Sequence, residues 1–162
     1  MRKNIEEQME IGEVAIADVE IDTKSRDEIP KVLFGLQSIY INKIVRCQVF
    51  DALKGIIPKD VNPDIGCPGM NLWTILVLGV LRLCCNWDYD KLLDIANNHK
   101  TVRLILGISI FNNKKFKLQT LKDNISLFKP VVLDKINQIV VNFGHKVLGK
   151  KSGEELRGSC DS

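Results

Sequence analysis

No apolar run in this chain reaches the roughly 20 residues that a membrane-spanning helix needs. The opening MRKNIEEQMEIGE lacks the apolar stretch of a signal peptide. Both absences point to a cytoplasmic protein with no membrane partner. Glycine and proline are sparse, 11 and 5 among 162 residues, which argues against a disordered or fibrous chain. Five cysteines (Cys47, Cys67, Cys84, Cys85, Cys160) form no CxxC pair and stand far from His99 and His145 at spacings that suit no zinc site. These spacings leave no metal expected, and an odd number closes no disulfide framework. Cys84 and Cys85 read as small buried hydrophobes in a reducing compartment. A Ser-His-Asp or Cys-His arrangement is also missing. Gly66 and Gly69 flank a proline turn and do not follow a strand, so they make no phosphate-cradling loop. No catalytic residue and no cofactor follow from these residues.

Acids are unevenly spread. Residues 1–30 hold nine of them against four bases, a balance of −5 in a chain of net charge +3, so the remainder carries +8. Between Ile95 and Lys122 there is no acid at all, while Lys100, Arg103, Lys114, Lys115, Lys117 and Lys122 supply six positive charges. Such a surface suits phosphates, because Lys and Arg that neutralise them release condensed counterions. Charge alone is equally compatible with a solvated basic face that meets no partner.

What is present is helical periodicity. From Leu72 to Cys85 Arg82 is the single charge in fourteen residues, so this helix expects burial on nearly every side, with Asn71 as its cap. Arg82 should pair with Asp90 or Asp94, or snorkel to the edge. Asp88 can cap a second helix, in which Tyr89, Leu92, Leu93 and Ala96 recur at i, i+3, i+4 and i+7. A third, short helix carries Val102, Ile105 and Leu106 inward and Lys100 and Arg103 outward, with Gly107 placed to end it. Together they form a three-helix unit like a helix-turn-helix. Trp87 reads as a core anchor at the junction and His99 as a turn residue.

Upstream, Val32, Leu33, Leu36, Ile39 and Tyr40 keep helical spacing behind Pro30, and Val45, Val49 and Leu53 line a second helix from Asn42 to Gly55. VAIADVEID alternates apolar and acidic residues like an exposed strand or an extended arm. The segment from Pro58 to Gly69, with three prolines and two glycines, is a linker. Downstream, Phe111 to Lys117 is a basic connector. A helix from Leu118 to Phe128 buries Leu118, Leu121 and Ile125. Pro130 opens the longest helix, where Val132, Ile136, Ile139, Val140, Phe143 and Val147 form an apolar stripe that suits core packing or the seam of a homodimer. The expected fold is an all-α helical bundle: an acidic N-terminal arm (1–28), a helical hairpin (29–57), a Pro/Gly linker (58–70), a helical domain of DNA-binding type (71–148) and a polar tail (149–162).

The segments SRDEIPKVLFGLQSIY, GCPGMNLW, VLGVLRLCCNWDYDKLLDIANNH, VRLILG, LQTLKDNISL and LDKINQIVVNFGHKVL, in this order and spacing, resemble the amino-terminal region of an insertion-sequence transposase of the ISNCY type. The resemblance implies DNA as partner, specifically the terminal inverted repeats of the element. It also implies a following domain of RNase H-like fold, whose Asp-Asp-Glu set and divalent metal cut and join strands. The first catalytic aspartate of that domain would lie beyond Ser162, so the chain reads as a truncated transposase that is catalytically inactive by itself. The family tends to carry Arg where Cys67 stands, which leaves this chain one phosphate ligand short. Within the three-helix unit, the helix after Asp88 bears Asp88, Asp90 and Asp94 against Lys91 alone and would repel phosphate. The third helix is therefore the expected groove-facing element, with Arg103 reading guanine and Lys100 holding phosphate. A helical dimerisation or protein-interaction module without DNA contact is the alternative.

Overall fold

The computed structural model describes residues 13–55 and 70–147. Among these, every regular element is helical. A 3-10 turn, Ile16–Asp18, precedes α1 (Glu28–Ile41), α2 (Lys43–Lys54), α3 (Leu72–Cys84), α4 (Tyr89–Asn98), α5 (Lys100–Ile105), α6 (Leu118–Ile125) and α7 (Pro130–Val147). The expected all-α bundle is what the chain forms. Apart from Met70, the expected linker lies outside the described residues, as do the polar tail and residues 1–12 of the arm.

α3 is the axis of the molecule. All its residues from Leu72 to Leu81 are buried, and α1, α2, α4 and α6 pack around it. Asn71 accepts a hydrogen bond from the Thr74 amide at 2.7 Å and so caps its first turn. At its far end Asn86 takes a positive φ of 51°, and the Trp87 amide returns to the Arg82 carbonyl at 3.0 Å. That six-to-one closure is a Schellman turn, with Asn in the left-handed position usually given to Gly. Cys84 and Cys85 sit where the helix leaves the core, so Cys84 is exposed and Cys85 half-buried. This corrects the expectation of two buried thiols. Of the two alternatives for Arg82, the ion pair with Asp90 or Asp94 is not formed; its guanidinium lies over the Tyr89 ring, 4.4 Å from the centroid.

Two corners are made by single residues. Asn42 ends α1 and caps α2, accepting from the Ile44 and Val45 amides at 3.1 Å. His99 ends α4 and caps α5, its Nδ1 accepting from the Val102 amide at 3.3 Å. Asp88 caps α4 through the Lys91 amide at 2.7 Å. α5 closes with a second Schellman turn: Gly107 has φ 73°, its amide donates to Leu104, and the Ile108 amide donates to Arg103.

The segment expected as a strand or extended arm is neither. Ile16 and Val19 are buried against α1, and the Gln37 amide nitrogen donates to the carbonyls of Ile16 (2.9 Å), Ala17 (3.3 Å) and Val19 (2.8 Å). Side-chain hydrogen bonds of this kind fix a turn that alternation alone reads as a strand. α6 stops at Ile125, short of the expected Phe128, because the Phe128 amide turns back to Ile125 and carries the ring over Gly79 of α3. α7 packs on α2 and buries Ile136, with Val132, Ile139 and Phe143 half-buried. Val140 of the expected stripe is exposed instead, as are Val131 and Val141. The side chain of Val147 lies outside what is described.

Candidate nucleic-acid interface

The basic segment begins at the α4–α5 corner. Val102 and Ile105 of α5 are fully buried, and the Ile105 carbonyl accepts from the indole nitrogen of Trp73 at 2.7 Å, which ties α5 to the central helix. This orientation leaves Lys100 exposed and Arg103 half-buried.

Arg103 lies back along its own surface. One terminal nitrogen donates to the Lys114 carbonyl at 2.9 Å and to the Asn97 carbonyl at 3.4 Å, and the other donates to the Asn112 carbonyl at 2.6 Å. The guanidinium fork expected to read guanine is therefore occupied by backbone oxygens. Asn97 grips the same segment one step further on, accepting from the Phe116 amide at 2.7 Å and donating to the Phe116 carbonyl at 3.1 Å. Asn112 adds a local turn by accepting from the Lys114 amide at 2.8 Å. The connector from Asn112 to Phe116 has no helix or strand of its own, yet two side chains of the α4–α5 corner hold its backbone. Phe116 is half-buried against the core.

This anchoring turns Lys114, Lys115 and Lys117 outward, and all three are exposed. Lys122 is exposed on α6, which follows directly and packs against α4. The ammonium groups of Lys100, Lys114, Lys115, Lys117 and Lys122 take part in no ion pair or hydrogen bond among the described residues. Of the acids on the flanking helices, Asp94 accepts from Asn98 and Asp123 accepts from Gln119, both at 2.7 Å, and the Glu13 carboxylate lies against Gly107. The structure thus brings together the elements that carry the six expected bases, five as free charges and Arg103 as the strut behind them.

Sequence reasoning missed Asn97, whose role needs Phe116 nineteen residues away, and it missed the tip just before the connector. There the Asn112 amide donates to the Ser109 carbonyl at 3.0 Å, closing a β-turn with Ile110 and Phe111 at its centre, 57% and 78% exposed. A large apolar pair in the middle of an exposed turn was visible as a signal, because turns favour Gly, Asn, Asp, Pro and Ser there. No three His, Cys, Asp or Glu side chains group for a metal ion among the described residues, and no helix among them is long and apolar enough to cross a membrane. No family model matches the chain, and no curated protein or solved structure matches it significantly.

Proposed function

We propose that this chain is a DNA-binding module of the kind its sequence resembles, the amino-terminal part of an insertion-sequence transposase, and that it engages the terminal repeats of such an element. The supporting observation is the anchored basic connector. Free lysines on a wandering loop would lose much of their benefit to ordering entropy, whereas here Arg103 and Asn97 already fix the backbone that carries Lys114, Lys115 and Lys117. Lys100 and Lys122 extend the phosphate-facing surface on either side. Affinity on this reading comes from the backbone, with Arg103 positioning lysines and not touching bases.

A salt titration with duplex DNA tests it. Log affinity should fall linearly with log salt, and changing Lys114, Lys115 and Lys117 together to Ala should reduce the slope by about 0.9 for each phosphate that is no longer neutralised. Binding that stays flat with salt, or a slope untouched by the triple change, overturns the proposal.

A second reading has its own observation. A groove between α2 and α7 is lined by Ile44, Gln48, Ile139, Asn142 and Phe143; Ile44 itself is exposed, as are Ile41 at the end of α1 and Val140 and Val141 on α7. This apolar surface fits a homodimer seam. That reading expects self-association in sedimentation, abolished by Ile44→Glu; a monomer at every concentration removes it.

A further inference from the structure

The turn at Ile110 and Phe111 is not accounted for by phosphate binding. Its two central residues are large, apolar and more than half exposed, at positions where turns favour small polar residues. The turn is also held from both sides. Ser109, buried, accepts through Oγ from the Phe111 amide at 3.3 Å, and the Asn112 carbonyl on the far side accepts the shortest of the Arg103 hydrogen bonds at 2.6 Å. The Schellman turn at Gly107 and buried Ile108 fix the approach. An aromatic ring is thus presented on a braced backbone, and free lysines begin three residues later at Lys114, within about 11 Å of extended chain.

Resting on the DNA-binding proposal, we infer that Phe111, flanked by Ile110, is an apolar wedge that inserts at a base step and stacks on an unpaired or partly unstacked base while Lys114 and Lys115 hold the adjoining phosphates. Charge favours nucleic acid over an apolar protein surface, since the stretch from Lys100 to Lys122 carries six bases and no acid of its own, with the Glu13 carboxylate packed behind it against Gly107. Inserted side chains act by unstacking a step and bending the duplex, so sites at which the stack is already weak should bind best. Aromatic stacking on a base is tolerant of sequence, because every base offers a π-face. The wedge would therefore select deformable or mismatched steps over particular bases. Rigid presentation matters, because ordering a mobile loop would offset much of the stacking gain.

The experiment compares the full chain on two duplexes of equal length, one intact and one with a central mismatch, each titrated with salt. The wild-type chain should prefer the mismatched duplex about tenfold, and Phe111→Ala should abolish that preference while keeping the salt slope on intact DNA. Phe111→Tyr should restore it. Because Phe111 is 78% exposed, Phe111→Ala is expected to fold as the wild type does, which a thermal melt verifies. If Phe111→Ala binds both duplexes as the wild type does, the wedge is overturned and DNA binding by the lysines stands. If neither duplex is bound with a salt-dependent affinity, both inferences fall. Binding of the wild type to vesicles of anionic phospholipid, absent in Phe111→Ala and accompanied by no preference between the duplexes, would overturn the wedge in favour of a membrane-surface role.

Discussion

Gln37 holds three carbonyls of the 3-10 turn from within α1, and it is buried while doing so. Replacing it with Leu fills much the same space but removes the donor from all three carbonyls, leaving Ile16 only the long Val19 amide contact at 3.5 Å, so Gln37→Leu should cost about 1–3 kcal/mol in urea unfolding and expose the segment around Ile16 to proteolysis. Arg103 stands in the same relation to the connector. Arg103→Met keeps much of the stem but removes three hydrogen bonds, and trypsin should then cleave after Lys114 and Lys115 several times faster, with a stability loss of about 2 kcal/mol. A cleavage rate that did not change would show that the connector holds itself. Cys85 gives a pH dependence. Burial, with the Glu28 carboxylate nearby, raises its thiol from 9.0 to about 11. The folded chain thus keeps a proton that the unfolded chain releases. The contribution of this thiol is fully present below pH 9.0 and is lost as pH rises from there towards about 11, a decline that Cys85→Ser should weaken in melts taken across that window.

At the level of elements, the helices owe their limits to caps as much as to propensity. Asp88 caps α4 from a side chain whose remaining surface is exposed, so Asp88→Ala should destabilise the chain by about 1 kcal/mol with little other effect. Asn86 makes the reverse turn between α3 and α4 in the left-handed region. Asn86→Ala should cost about 1 kcal/mol, while Asn86→Gly should be neutral or slightly stabilising, both read as shifts in denaturation midpoint. The six-residue α5 is too short to persist by itself. It exists because His99 caps it, Gly107 closes it, and Trp73, fully buried, fastens its last carbonyl to α3.

At the scale of the whole molecule, Gly79 of α3 lets Phe128, which follows α6, pack directly on the central helix. A Cβ there would fall 2.9 Å from Phe128 Cβ and closer still to the ring. Gly79→Ala should therefore destabilise by about 1–3 kcal/mol through overpacking, and Phe128→Leu should recover part of that loss, as a double-mutant cycle measures. Gly79 is one position in a chain-wide pattern: α3 runs through the centre, the α1–α2 hairpin and α7 lie to one side, and α4, α5 and α6 support the basic connector.

Helix identity came from local periodicity. The spacing of Leu33 and Leu36, of Val45, Val49 and Leu53, and of Leu92 and Ala96 already fixes which faces turn inward, because a 3.6-residue repeat can bury only one stripe. The caps at Asn71 and Asp88 and the stop at Gly107 are equally local, since each needs only a neighbour within one turn. The location of the six bases was legible too, as charge does not depend on folding. Their division of labour was not. Arg103 and Lys100 look alike on a short helix, and only the return of residues 112–116 to the α4–α5 corner makes one a strut and leaves the other free. Gln37 on the 3-10 turn, Phe128 over Gly79 and exposed Val140 on α7 are of the same kind. Each depends on which distant segment arrives at a face, and hydrogen-bond geometry and steric fit between segments far apart in sequence exist only once the chain has closed on itself.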